Sequence, residues 1–438
     1  MKTGEKMSNL SRRNFLTITT GITVASMFPF IAQATTKKVV VIGGGAGGAT
    51  AAKYIRLTDP TIEVTLIEQN KCYYTCFMSN EVLGGERTID SIKFGYEGLH
   101  KYGIKMIYDR AIGIDPVTQK VTMAMGKPVD YDRLVISPGI DFKWDTIEGY
   151  SENITDKIPH AWKAGSQITT LRQQLKAMPN CGTVIIAVPK VPFRCPPGPY
   201  ERVSQMAHYL KHHKPKSKIL VLDTNNRFSK QKLFTQGWEK LYGYGTDNSM
   251  IEWIPANKGG IVTRVDADNM TVIAGDNEHK ANVINIIPPQ TAGRIALEHG
   301  LVANEGKYQG WCPVSGRTFE STLHPNIHII GDACITKMPK SAYSANSHAK
   351  VCAKAIVAAL QGKEMTEEPS YVSACYSIVG ENYGISVAGV YAINENGQIK
   401  RVKGAGGLSP KDASAEYRKR EVAYAHSWYK NLTYDMFN

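Results

Sequence analysis

Eight cysteines, at positions 72, 76, 181, 195, 312, 334, 352 and 375, are the residues of this 438-residue chain best suited to redox chemistry. Thiolates are nucleophiles, and paired thiols exchange electrons by making and opening an S–S bond. Eight in a chain of this length do not make a disulfide-stapled scaffold. No Cys-x-x-Cys or His-rich ligand spacing occurs, so no metal site is expected, and the absence of Cys-x-x-Cys-His leaves no c-type haem attachment. Cys181, Cys312, Cys334 and Cys352 read as buried small apolar residues; Cys334, two residues after Asp332, is the ambiguous member.

A second chemistry lies upstream. Gly43-Gly44-Gly45-Ala46-Gly47-Gly48 follows the β-branched run Lys38-Val39-Val40-Val41-Ile42, a buried parallel strand by its pattern. The helix expected over Ala49 to Leu57 stops near Pro60, and Ile62 to Glu68 is the next strand. In this β-turn-α-β unit Gly43 permits the sharp turn, Gly45 lets the backbone approach a pyrophosphate, and Gly48 lets helix and strand pack closely. The helix N-terminus offers N–H groups to phosphate. Glu68, 20 residues after Gly48, is placed to bond ribose hydroxyls.

Later segments point to FAD. Asn326 to Ala333 reads as a strand ending in Gly331-Asp332, which suits a carboxylate on a ribityl chain, and a helix is expected over Ser344 to Leu360. Tyr131 to Gly139 has the pattern of the strand by which two-dinucleotide flavoproteins leave the FAD domain. A second nucleotide domain should follow, with a helix over Gln167 to Met178 and a strand over Gly182 to Val188. Its loop reads Pro189-Lys190-Val191-Pro192-Phe193-Arg194-Cys195-Pro196-Pro197-Gly198-Pro199. Proline lacks the N–H and fixes φ, so this segment cannot cradle a dinucleotide. Pyridine-nucleotide binding is expected to be lost, and a cysteine stands where the glycines would be.

Composition sets the frame. Hydrophobic residues are 42% and charged residues 21% of the chain, ordinary for a globular protein. Arg12-Arg13 stands before the apolar run Phe15 to Ile31, and Ala32-Gln33-Ala34 offers a cleavage site. This is the pattern of a twin-arginine export signal over residues 1–34, with a periplasmic mature chain and no membrane span in it. The run is short for a span of ~20 residues. The net charge is +13, with Lys2, Lys6, Arg12 and Arg13 against Glu5 in the leader. The basic residues are scattered, without the Arg-rich helix or aromatic–basic stripe of a nucleic-acid binder; they favour an acidic protein partner.

The chain resembles the flavoprotein subunit of flavocytochrome c sulfide dehydrogenase, and is similar to the flavoprotein that works beside thiosulfate-oxidising complexes. The resemblance is carried by Val41 to Tyr54, Tyr73-Tyr74-Thr75-Cys76, Phe193 to Arg202, Gly331-Asp332-Ala333-Cys334, Tyr343 to Ser347 and Ser427-Trp428-Tyr429. It implies an α/β two-dinucleotide-binding-domain flavoprotein: a Rossmann-like FAD domain over 35–148 and 291–364, a degenerate second nucleotide domain over 149–290, and a C-terminal α+β domain over 365–438. It implies that Cys76 bonds the flavin covalently, that Cys195 and Cys375 form a redox disulfide beside it, that Glu201 manages protons, and that Trp428 lies near the ring. The implied activity is oxidation of sulfide to sulfur or polysulfide, with electrons passed to a c-type cytochrome. A sulfide:quinone oxidoreductase, which needs a membrane-facing C-terminus, and a non-catalytic redox activator of a sulfur-oxidising complex are the competing readings.

Overall fold

The computed structural model describes residues 36–438; the export signal expected over 1–34 lies outside the described residues. The chain enters through β1 (Lys38–Ile42), α1 (Ala46–Thr58) and β2 (Glu63–Ile67), the unit expected from the glycine run, with the helix starting three residues earlier. A short helix α2 (Ser79–Gly84) and strands β3 (Lys105–Ile107) and β4 (Arg133–Ile136) follow. Residues Ile140–Phe142 then pair antiparallel with Gln290–Ala292, so the chain leaves and re-enters this region through adjacent strands.

Between those strands lies a second parallel α/β layer: α3 (Ser166–Ala177), β5 (Thr183–Val188), α4 (Gly198–His213), β6 (Lys218–Asp223), α5 (Gln231–Tyr242), β7 (Ile251–Ile254) and β8 (Val283–Ile286). Its sheet runs β7-β6-β5-β8. Each of β5 and β8 is buried along nearly its whole length, as expected of parallel strands covered on both faces. The chain returns as β9 (Ile327–Ile329), completing the first sheet in the order β9-β4-β1-β2-β3 with every pair parallel.

Helix α6 (Ala342–Leu360) packs along α1. The contact is close because both helices bury small residues, Ala49, Ala51 and Ala52 on one and Ala345, Ala349 and Ala353 on the other. Ser341 caps α6 by accepting the Ser344 N–H at 3.2 Å. The last segment is an antiparallel sheet, β10 (Ser370–Gly380), β11 (Tyr383–Ile393) and β12 (Ile399–Leu408), followed by helix α7 (Ala415–Phe437). Glu421 on α7 accepts the Ser386 hydroxyl of β11 at 2.6 Å and pairs with the buried Arg418. At its far end Asp435 accepts from Tyr54 of α1 at 2.7 Å, and Thr75 meets Tyr429 at 3.1 Å. The C-terminal helix is thereby clamped onto α1, and β10 borders the same cavity as the glycine loop. Among the described residues no helix is long and apolar enough to cross a membrane.

Candidate active site

The glycine loop does what its spacing implies. Gly43 adopts φ +96°, and a side chain there would strike the Ser137 carbonyl; a Cβ on Gly48 would collide with the Gly43 carbonyl oxygen, so this position permits helix-on-strand packing. Gly45 meets only the edge of the Tyr73 ring, 3.4 Å from where a Cβ would lie, and with Gly43 it borders a cavity of about 970 Å³. Glu68 lines the same cavity; one carboxylate oxygen accepts the Gly44 N–H at 2.8 Å and the other the Asn70 N–H at 2.9 Å. The carboxylate is thus fixed at the end of β2, where the ribose was expected.

FAD fits this cavity by a test independent of motif. Buried polar atoms need partners. Four that border the cavity have none among the described residues: Asp332 Oδ1, Trp428 Nε1, Tyr96 Oη and Trp162 Nε1. Their spread over the cavity wall, on elements that include the turn after β9 and α7, suits a ligand with several polar groups. Asp332 follows β9 in a short 3₁₀ turn, and burial raises its pKa against the pull of Arg194 and Lys340. Trp428 stacks on Tyr343 with ring centroids 6.1 Å apart, so both are presented as a flat wall. Cys76 also lines the cavity, its Sγ 3.7 Å from the Trp162 carbonyl oxygen; Cys72 borders it too.

Cys195 and Cys375, 180 positions apart in the chain, meet at this cavity. Cys195 sits in the turn before α4 with φ +55°, held by its N–H to the Lys340 carbonyl at 2.7 Å and by the Gly198 N–H on its own carbonyl at 2.8 Å. Cys375 comes from the middle of β10, opposite Val387. Both thiols line this cavity and are free in the structure, so the expected S–S bond is not formed in it; Cys375 Sγ lies 3.7 Å from the Tyr376 carbonyl oxygen. The neighbouring Cys195 thiol and the positive charge of Lys230 pull the Cys375 thiol down against burial, whereas Cys195 is raised by its Cys375 neighbour and by burial, with Lys230 opposing.

Glu201 stands in the first turn of α4, as expected, and bridges the two halves of the pair. Its Oε1 accepts the Ile378 N–H at 2.8 Å and its Oε2 the Asn80 amide at 2.9 Å. Burial raises its pKa to about 7, only partly offset by those bonds. A carboxyl balanced between its two protonation states beside two thiols can take or give a proton near neutrality.

Several residues escaped the sequence reading. Arg194, next to Cys195 in the motif already quoted, is half-buried; it donates to the Trp162 carbonyl and lies near Cys76, Asp332 and Cys195. Arg202, one turn into α4, is buried among the His160 and Ala161 carbonyls, Asn80 and Asn285. Lys340 donates to the Asp332 carbonyl at 2.7 Å. Lys230 had no signal at all. One expectation is corrected: Cys312, Cys334 and Cys352 are buried, but Cys181 is exposed, because it occupies a left-handed turn (φ +116°) ahead of β5 and not the strand itself.

The degenerate second domain has filled its own crevice. Asp223, at the end of β6, is fully buried and accepts from Tyr200 at 2.7 Å, from Trp253 at 2.9 Å and from Asn225. Tyr200 stacks on Phe228 at 3.7 Å. A carboxylate so occupied has no lone pair directed outward for a ribose.

Family models match three stretches. Residues 37–174 match the pyridine nucleotide-disulphide oxidoreductases, 168–288 the central domain of the sulfide dehydrogenase [flavocytochrome c] flavoprotein chain, and 367–437 the flavin-binding domain of flavocytochrome c sulphide dehydrogenase. Two of the three stretches are thus similar to parts of one protein, the flavocytochrome c sulfide dehydrogenase flavoprotein chain. The α/β two-dinucleotide fold is therefore that of the disulphide oxidoreductases, and the C-terminal match, whose Cys375, Tyr376 and Trp428 border the cavity, is to a flavin-binding domain. Among curated relatives, the mitochondrial sulfide:quinone oxidoreductase of Mus musculus is 20% identical over 291 residues, 64% of this chain and 62% of that protein. The corresponding protein of Dictyostelium discoideum is 20% identical over 57% of this chain and 54% of its own length. The chain thus spans less than two thirds of the curated relatives it matches. The solved structure of the sulfide:quinone oxidoreductase from Aquifex aeolicus superposes with a TM-score of 0.68 at 22% identity, covering 91% of this chain and 92% of that one, a likeness of fold.

Proposed function

We propose that this chain is an FAD-dependent sulfide oxidoreductase in which Cys195 and Cys375 form the sulfur-exchange pair and a c-type cytochrome takes the electrons. The observation that carries the reading is the meeting of those two thiols, with Glu201 between their supporting elements, on the wall of the flavin cavity. The sulfide-oxidising relatives support the substrate class.

Gly43, Gly45, Glu68, Asp332 and Trp428 would hold the cofactor, and Cys76 is the residue proposed to anchor it covalently. FAD, when bound, accepts an electron pair and releases electrons singly, which restores the S–S bond on one side and suits a haem on the other. The chain's own residues do the rest. Hydrosulfide attacks one sulfur of the oxidised pair, leaving a persulfide on that cysteine and a thiolate on the other. Glu201, with its pKa near 7, takes the proton released as hydrogen sulfide becomes the attacking anion. A second sulfide then removes the outer sulfur as polysulfide. The half-buried Arg194 and the buried Arg202 give this wall a positive field, which concentrates anionic sulfur.

The twin-arginine pattern expected over residues 1–34 supports a periplasmic location in the same proposal; cell fractionation of the full chain checks it. The decisive experiment is anaerobic addition of sulfide to the purified flavoprotein with cytochrome c. Wild type reduces the cytochrome, and Cys195→Ser retains FAD but does not. Quinone reduction with liposome binding and no cytochrome reduction would reassign the acceptor. Bound flavin with no sulfide turnover in wild type overturns the activity and favours an activator role.

A further inference from the structure

Asn80 enters no step above, yet it is the side chain of α2 that faces Glu201. It is only 7% exposed and borders the cavity. A side-chain amide has nearly the same shape either way round, so its neighbours decide which end is the donor. Two of them do so independently here. Arg202 Nε, which can only donate, meets Asn80 Oδ1 at 3.2 Å. The Gly198 carbonyl, which can only accept, meets Asn80 Nδ2 at 3.3 Å. Arg202 is itself 1% exposed and is fastened to the His160 carbonyl and to Asn285, which holds it in place. The N–H end of the amide is thereby kept on Glu201 Oε2, at 2.9 Å. The other carboxyl oxygen meets the Ile378 N–H, again a group that only donates, at 2.8 Å.

We propose that Asn80 is a positioning residue for Glu201: with its amide locked by Arg202 and Gly198, it keeps a donor on the carboxyl and leaves the cavity as the place where the Glu201 proton is exchanged. The inference rests on the sulfur-exchange reading and adds to it the path of the proton. Donors on both oxygens satisfy the carboxylate and offer nothing to accept a carboxyl O–H. Among the described residues the Glu201 carboxyl makes no other hydrogen bond. Its O–H therefore turns to an acceptor in the cavity it borders, where Cys195 and Cys375 supply the sulfur. The charged and titratable groups around it are those two thiols, Lys230 from the entry to α5 and Arg202 on its own helix. On α2 the neighbouring Glu81 carboxylate is turned away, to Arg87 and His426. The proton that Glu201 takes from hydrogen sulfide is thus given back to the cavity, to a thiolate or to the departing polysulfide, and does not drain through α2.

The test follows the Glu201 carboxyl itself. FAD-loaded protein with isotope-labelled glutamate carboxyls is titrated over pH, and the infrared band of the protonated carboxyl that is missing in Glu201→Gln gives the midpoint. Wild type titrates at about 7. Asn80→Leu removes the donor and raises the midpoint by roughly one pH unit or more. Asn80→Asp, the closest match in shape, keeps the acceptor for Arg202 but puts an oxygen where the donor stood, and raises it further. A side chain that only filled space would give the reverse order, with Asn80→Asp nearest to wild type. An unmoved midpoint in Asn80→Leu, or a midpoint in Asn80→Asp at or below that of wild type, overturns the proposal. Should Asn80→Leu fail to bind FAD, Asn80→Asp decides on the same criterion. The limb near pH 7 of sulfide-dependent turnover should move with the infrared midpoint. No sulfide enters the infrared titration, so a wild type that titrates as described but turns over no sulfide removes the function and leaves the role of Asn80 standing.

Discussion

Glu201 accepts the backbone N–H of Ile378 at 2.8 Å, a bond between residues 177 apart that ties the helix following Cys195 to the strand carrying Cys375. The same carboxyl is therefore both a strut and a proton acceptor. Glu201→Gln keeps the acceptor for Ile378 and removes the titration. Sulfide-dependent turnover should fall by about 10²-fold or more, and the limb near pH 7 should vanish from the rate profile. Stability changes in a defined sense. A carboxyl raised from 4.5 to about 7 binds its proton more tightly folded than unfolded. Its contribution is fully present below about pH 4.5 and is lost as pH rises through about 7, at about 1.4 kcal/mol for each pH unit crossed. Thermal denaturation against pH should flatten over that window in Glu201→Gln.

Cys76 and Cys72 both border the flavin cavity, but the motif selects Cys76. Denaturing electrophoresis viewed under ultraviolet light should show flavin on the polypeptide, and peptide mapping should put its mass on Cys76. Cys76→Ser should bind FAD that acid precipitation then releases completely. An adduct on Cys72, or acid-labile flavin in wild type, refutes the covalent assignment to Cys76.

The cofactor-holding residues act by different physics, and their variants should separate. Gly48→Ala places a methyl group against the Gly43 carbonyl oxygen within packed backbone. Overpacking of this kind costs about 1–3 kcal/mol, read as a lower melting temperature together with reduced flavin content. Asp332→Ala removes the buried, unpartnered Oδ1 without crowding anything. Measured in the Cys76→Ser background, FAD affinity should fall by roughly tenfold or more, from a hydrogen bond of about 1.5–3 kcal/mol, with thermal stability of the apoprotein little changed.

Asp223 is committed to Tyr200, Trp253 and Asn225, and prolines occupy the loop before α4. NADH and NADPH should leave the flavin spectrum unchanged under anaerobic conditions at millimolar concentration. Bleaching of the flavin absorbance by either would show that the second domain has kept its nucleotide site.

What the sequence by itself determined was local. The run from Lys38 to Glu68 specifies a strand, a glycine turn, a helix and a second strand through short-range sterics and periodicity, and the structure reproduces it within a few residues. The prolines between Pro189 and Pro199 exclude a phosphate cradle for an equally local reason, and Cys76, Cys195 and Glu201 were marked by short motifs. What the tertiary structure decided depends on distance and burial. Cys195 reaches Cys375 because α4 packs directly on β10, joined to it through Glu201 and Gln205 at Ile378. Glu201 titrates near neutrality only because packing strips its water. Lys230 carries no motif; the entry to α5 turns its buried ammonium against β10. Cys181 was misjudged for the converse reason: a cysteine's apolar character does not say whether the turn bearing it faces solvent. A linear pattern encodes the backbone each segment prefers, whereas the electrostatics of a thiol pair is set by the charges that distant segments bring beside it.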